Sequence, residues 1–575
     1  MSKFVIYQVL PRLFGNYNTR NKHAGTIEEN GCGKFNSFTA KALNEIKSLG
    51  VTHIWYTGII EHATKTNYSA YGIQQSHAAI VKGQAGSPYA IKDYYDVDPD
   101  LAVNVDNRIG EFENLVKRTH AAGMQVIIDF VPNHVAREYL SDAKPKGVAD
   151  LGEKDNPEWA FSPLNNFYYI PNQKFTPQFD ADGYNEFPAK TTGNDIFNPS
   201  PTLNDWYEAV KLNYGVNYME GCQKQFDPIP DTWYKMLDIL LYWAGKKVDG
   251  FRCDMAEMVP VEFWGWVVPQ VKKEYPEIIF IAEVYNPAEY RNYICNGKFD
   301  YLYDKVGLYE TLRNVSCRNH PVRNITYAWQ QLGGIEDKML NFLENHDEQR
   351  VGSGFFCGNG VYIQPAMIVA ATLTKAPVMI YFGQELGELG MDNEGFSGLD
   401  GRTTIFDYWG MKSIQDWANK GKFDGEKLTA EQKELRGFYK SLLNITMNEK
   451  AIIDGVMYDL EYANYDNPKF NSHEQFAYFR KYKNELLLIV LNFYDKNLDT
   501  EVRIPTEAFQ FLDINENENY TCVNLLDESE NFPVVTLSST KVFATHIPAW
   551  KGKIIKLKKT KKMPESFSNP KALKM

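Results

Sequence analysis

Asp254, Glu283 and Asp347 each stand at or just past the downstream end of a short apolar, strand-like run, in VDGFRCD, EIIFIAE and MLNFLENHD. A parallel α/β barrel gathers the C-terminal ends of its strands on one rim, so acids far apart in sequence can converge there on one substrate. Converging carboxylates suit acid/base chemistry on a sugar bond, where one acid stays ionised and another keeps a proton. Arg252 precedes Asp254 by two residues, and side chains alternate with period two along a strand, so both point to one face. Its guanidinium is expected to orient Asp254 and to lower its pKa. Glu283 follows the apolar run IIFIA, so partial burial and nearby carboxylates are expected to raise its pKa. Taken singly, each has a plainer reading: an ion pair at a strand end, or a solvated rim residue.

The elements that would position these acids recur in order. Apolar, β-branched runs followed by helical patterns are the signature of βα units and a parallel sheet. The candidate strands are FVIYQVL, VTHIWYTGI, QVIIDFV, VDGFRCD, IIFIAEV, FDYLYD, MLNFLEN and APVMIYFG, enough for a closed barrel. FNSFTAKALNEIKSLG, RIGEFENLVKRTHAAG and TWYKMLDILLYWAGKK carry apolar residues at three- and four-residue spacing and read as helices. The first two end in Gly, which can take the left-handed cap before the next strand. The fold class is therefore a (β/α)8 TIM barrel, with residues 1–133 its first part and 226–452 its second. Residues 134–225, rich in Pro, Asn, Asp and aromatics, read as a subdomain inserted after the third strand, because long connections in compact enzymes are usually functional. Residues 453–558 alternate in hydropathy and predict a C-terminal antiparallel β-sandwich domain. The polar, basic end, 559–575, reads as a flexible tail.

With 575 residues the chain is too long for one core. Apolar residues make up 44% of it and charged residues 23%. That balance is ordinary for a globular protein, so disorder is not expected outside the ends. A net charge of −12 disfavours nucleic acid and anionic lipid as partners, since both select basic faces. Aromatics reach 14%. Flat rings can stack on sugar faces, although most aromatics in any protein are core. The seven cysteines are odd in number, scattered and without CxxC spacing, so neither a disulfide framework nor a zinc site is expected. The opening MSKFVIYQVLPRLF lacks the pattern of a signal peptide, which points to the cytoplasm. A periplasmic or secreted form whose leader had been removed would read the same way. Without a run of eighteen apolar residues, no membrane span is predicted. Oligomeric state is not legible.

Four motifs in register then give a resemblance. DFVPNH at 129–134, GFRCD at 250–254, AE at 282–283 within IFIAEVY, and the NHD of FLENHD at 345–347 resemble the four signatures of the α-amylase family, glycoside hydrolase family 13. SPYAIKDYYDVDP at 87–99 and GRTTIFDYW at 401–409 add weaker likeness. The resemblance implies Asp254 as nucleophile, Glu283 as general acid/base and Asp347 as the carboxylate that stabilises the transition state. It also implies that Arg252 orients the nucleophile, that His134 and His346 bind sugar hydroxyls, and that Tyr89 stacks on the sugar. Asn133 is implied as a ligand of a structural calcium; the chemistry itself requires no cofactor. The implied activity is retaining hydrolysis of α-1,4-glucosidic bonds in starch-derived glucans or maltooligosaccharides. Transfer of glucosyl units to a sugar acceptor is the alternative within the same chemistry, and a non-catalytic carbohydrate-binding relative is a distant one. One departure stands out. Many α-amylases read Asp-x-x-Lys-His after the nucleophile, where this chain has Asp254-Met255-Ala256-Glu257-Met258.

Overall fold

A computed structural model describes residues 3–396 and 398–560, so the segment 561–575, most of the predicted tail, lies outside the described residues. Eight parallel strands close into a barrel: β1 (Val5–Val9), β2 (His53–Tyr56), β3 (Gln125–Phe130), β4 (Gly250–Cys253), β5 (Ile279–Ala282), β6 (Tyr301–Tyr303), β7 (Met339–Phe342) and β8 (Val378–Tyr381). Each pairs with its neighbour in sequence, and β8 closes on β1 through Val5 opposite Val378. Nearly every strand residue is buried, as expected where helices cover one face of a parallel sheet and packed side chains the other. That two-sided burial is why the strands read as continuous apolar runs.

The helices α1 (Ala40–Lys47), α2 (Arg108–Ala121) and α3 (Asp231–Gly245) occupy the predicted stretches. α1 starts later than its apolar pattern suggests, because Thr39 caps it by accepting from the Ala42 N–H, and Phe35–Ser37 forms a separate short turn. Gly50 and Gly123 both take positive φ, 96° and 74°, where the chain leaves α1 and α2 for the next strand.

Two excursions cover the rim at the strand C-termini. After β2 an antiparallel hairpin pairs Ile60–His62 with Ile91–Val97. After β3 the chain forms short ladders, His134–Ala136 with Ala209–Lys211 and Tyr169–Ile170 with Ala189–Lys190, before it returns through α3. Residues 456–559 form a six-stranded antiparallel sheet and a separate two-stranded one, around a core of their own. No helix among the described residues is long and apolar enough to cross a membrane.

Candidate active site

The barrel ladder runs one residue beyond the strands and fixes the acids by their backbones. The Asp254 N–H donates to the Phe130 carbonyl at 2.9 Å, and the Glu283 N–H to the Cys253 carbonyl at 3.1 Å. Asp254 and Glu283 therefore sit side by side on the rim although 29 positions separate them in the chain. Arg252 lies one step lower in β4, opposite Asp129 of β3.

Arg252 is the hub. Its Nη1 lies 2.6 Å from Asp254 Oδ1 and 3.5 Å from Asp129 Oδ1, its Nη2 lies 2.9 Å from Glu283 Oε2, and its Nε donates to the Tyr303 hydroxyl at 3.1 Å. The guanidinium is fully buried, so its fork, rather than water, sets where the two carboxylates stand. Asp254 Oδ2 is left without a hydrogen-bond partner. Glu283 is held from its other sides by the Met255 N–H, which donates to Oε2 at 2.8 Å, and by the Tyr285 hydroxyl, which donates to Oε1 at 2.5 Å.

The electrostatics correct one expectation. Burial and the neighbouring Glu283 and Asp129 carboxylates outweigh the pull of Arg252 toward the charged form, and Asp254 is pushed well above the usual carboxylate range rather than below it. Three buried carboxylates around one guanidinium cannot all be ionised cheaply. The sequence shows the cation two residues away and hides the second and third anions.

Asp347 differs from the other two. Burial acts to raise it, but the charges of His346, Arg252 and Arg402 and a contact from His346 Nε2 at 3.0 Å override that and hold it at about 2. Its side chain is 45% exposed, open to the cleft, while its backbone N–H is tied to Asn345 Oδ1 at 2.8 Å. His346 stands behind it, with Nε2 2.6 Å from the Tyr89 hydroxyl and Nδ1 2.8 Å from Gln8 Nε2. The Tyr89 ring stacks on the His346 ring at 5.1 Å, so this tyrosine is braced from below with one face toward the cleft. Gly58, at φ 73°, allows this: a Cβ there would lie 2.8 Å from Pro88 Cβ, in the loop that presents Tyr89. His134 is neutral, its pKa lowered to about 3 by burial and then by Lys211 and Lys82.

A cavity of about 410 Å³ is lined by Asp254, Glu283, Asp347, Tyr89 and His134. Its size is that of a small-ligand site. Arg252 lies beneath it, and His346 buttresses Asp347 and Tyr89. Larger cavities elsewhere, such as one of about 650 Å³ beside Leu386 and Leu435, contain none of these residues. Sequence reasoning missed several other lining groups. Tyr285 was within reach, since it follows Glu283 by two in extended chain. Trp206 against His134, the Lys82–Glu208 ion pair at 3.0 Å and the Lys305–Glu348 pair at 2.8 Å come from loops whose positions only the fold sets. Glu257, which stands where a basic residue is common, accepts the backbone N–H groups of Tyr285 and Asn286, each at 3.0 Å. It pins the loop that carries Tyr285.

Asn133 faces away from the cavity. Its Oδ1, the atom that a calcium would need, accepts from the buried Lys211 ammonium at 2.9 Å, and Lys211 pairs with Asp195 at 2.5 Å. Its Nδ2 donates to the Gly193 carbonyl at 2.9 Å. A side-chain cation fills the oxygen set around Asn133, which does not fit a calcium there as well.

Fold and site together define a barrel glycoside hydrolase. The chain belongs to the α-amylase family: the model of the α-amylase catalytic domain matches residues 8–511. Alpha-amylase 2 of Dictyoglomus thermophilum is 21% identical over 499 residues, 86% of this chain and 69% of that protein. An α-amylase of Streptomyces lividans is 24% identical over 407 residues, 64% of this chain but only 41% of its own length. Among solved structures, a noncanonic maltogenic α-amylase from Thermotoga neapolitana superposes with a TM-score of 0.61 at 21% identity, over 96% of this chain and 98% of that one. That likeness speaks to the fold.

Proposed function

We propose that the protein hydrolyses α-1,4-glucosidic bonds of starch-derived glucans or maltooligosaccharides with retention, by double displacement. The observation that carries this reading is the single guanidinium bridging Asp254 and Glu283. Retaining glycosidases hold their two carboxyls ~5–5.5 Å apart, whereas inverting ones separate them by ~6.5–9.5 Å to admit a water. Arg252, 2.6 Å from Asp254 and 2.9 Å from Glu283, gathers both acids about one guanidinium, which supports the closer, retaining arrangement.

In the first step the free Oδ2 of Asp254 attacks the anomeric carbon. The bond to the leaving oxygen breaks as Glu283 delivers its proton to that oxygen. In the second step a water attacks the same carbon, Glu283 takes its proton, and the bond to Asp254 breaks. The pair must therefore hold one proton, on Glu283, when substrate arrives. Burial and the neighbouring carboxylates, acting on Asp254, favour retaining a proton in the pair. Asp347, ionised throughout and open to the cavity, stabilises the oxocarbenium-like transition state.

Asp254→Asn and Glu283→Gln should each lower turnover of a maltooligosaccharide on the order of 10³-fold or more while leaving the melting temperature near wild type. Proton NMR of the nascent reducing end should show the α-anomer first. A first-formed β-anomer, or near-wild-type turnover in either variant, would overturn the assignment.

A further inference from the structure

A second group of carboxylates meets where the hairpin after β2 touches the segment inserted after β3. Glu61, in Ile60–His62, lies opposite Asp93 of Ile91–Val97, with register shifts on both sides of Glu61. Like charges directly opposite each other on a hairpin are destabilising. Asp93 is fully engaged: the Ser141 hydroxyl and the N–H groups of Tyr95, Asp142 and Ala143 donate to it at 2.6 to 2.9 Å. Those bonds fold the 141–143 turn onto the hairpin and bring Asp142 to Glu61. Carboxylate oxygens of Glu61, Asp96 and Asp142 then lie within 4.8 Å of one another.

Glu61 is the buried member of the group that lacks a partner. It is 1% exposed, and neither of its carboxylate oxygens has a hydrogen-bond partner. A buried carboxylate without a donor or a cation is among the costlier arrangements in a protein. Asp96 does have a partner, Arg108 Nε at 2.8 Å, and Asp142 is exposed to solvent. Arg108 and Lys92 are the cations that act on this group, so the carboxylates of Glu61, Asp93, Asp96 and Asp142 outnumber them.

We propose that Glu61, Asp96 and Asp142 bind one calcium ion, which ties the hairpin to the inserted segment. A calcium ion holds its oxygens at ~2.3–2.6 Å, so ligands on opposite sides lie about 5 Å apart. The span of the three carboxylates fits. Water completes the shell on the exposed Asp142 side. The cluster shares no residue with the oxygen set that Lys211 fills. The strand holding Asp93 and Asp96 begins two residues after Tyr89, so the ion would also brace the loop that lines the catalytic cavity.

The test uses the full chain, treated with EDTA, desalted, and titrated with CaCl₂ in binding and melting calorimetry. One calcium should bind per chain, and the melting temperature should rise with free calcium, as for any ligand of the native state. Asp142→Asn, a change at an exposed group that leaves the core intact, should weaken binding about tenfold or more, and Glu61→Gln should abolish it. A wild-type melting temperature indifferent to calcium would overturn the proposal. So would a calcium response undiminished in both variants, which would place the ion elsewhere.

Discussion

Arg252 does most to convert three separate acids into one site. Its charge alone does not account for that, because the fork spans Asp254, Glu283 and Asp129 at once and a point charge cannot. Arg252→Lys keeps the charge but loses the clasp, so kcat on a maltooligosaccharide should fall about 100-fold or more, in line with the loss of one preorganised donor. The melting temperature of that variant should change far less than its kcat; equal loss in both would mean that Arg252 serves mainly the fold. At this scale the sequence was a good guide to identity and a poor one to environment. The spacing Arg252-x-Asp254 placed both side chains on one face. It carried no trace of Asp129 and Glu283 pressing on Asp254 from the neighbouring strands, and so the expected direction of its pKa was reversed.

At the scale of elements, buried acids recur where strands and turns meet. Glu461, in the turn Glu461–Asn464 after the first strand of the C-terminal sheet, is fully buried with both carboxylate oxygens unpartnered. Burial, then Asp459, raises it to about 9. A raised carboxyl means that the folded state binds more protons than the unfolded one between the unfolded value of ~4.3 and the folded one. Stability therefore falls as pH rises through that window, with a slope for one group that cannot exceed one proton per molecule. Glu461→Gln should remove this slope. Melting curves from about pH 5 to about pH 8.5 should then decline less than in the wild type, with the largest gain at the alkaline end. An unchanged pH profile would show that a water or another donor satisfies the acid. The eight barrel strands were legible because two-sided burial leaves an unbroken apolar signature, and the terminal glycines marked where α1 and α2 stop. The short ladders of the inserted segment were not, since two- and three-residue strands are too brief to show a period.

Across the whole molecule, the barrel and the C-terminal sheet are joined by a polar pin. Arg480, buried in the second strand of that sheet, donates to the carbonyls of Leu373, Ala451, Ile452 and Gly455. Leu373 belongs to the barrel side and the other three to the connection between the units. Beside it, Thr372 and Tyr478 share a hydrogen bond at 2.5 Å. Arg480→Ala would leave these four buried carbonyls without that donor, at a cost of about 3 kcal/mol or more. Calorimetry should show a lower melting temperature and a split of the transition into two. A single unshifted transition would mean that apolar packing alone joins the units.

By itself the sequence determined the barrel and the family and singled out the three acids, because these rest on local signals: apolar runs of strand length, glycine stops, and four short motifs in order. Tertiary structure alone decided what surrounds them. It set Arg252 between two acids, gave Lys211 to Asn133, turned Glu257 into an anchor for the Tyr285 loop, and brought Glu61, Asp96 and Asp142 together. Each of these depends on the distance between residues far apart in the chain, and burial and Coulomb energy act through that distance, which no local pattern encodes.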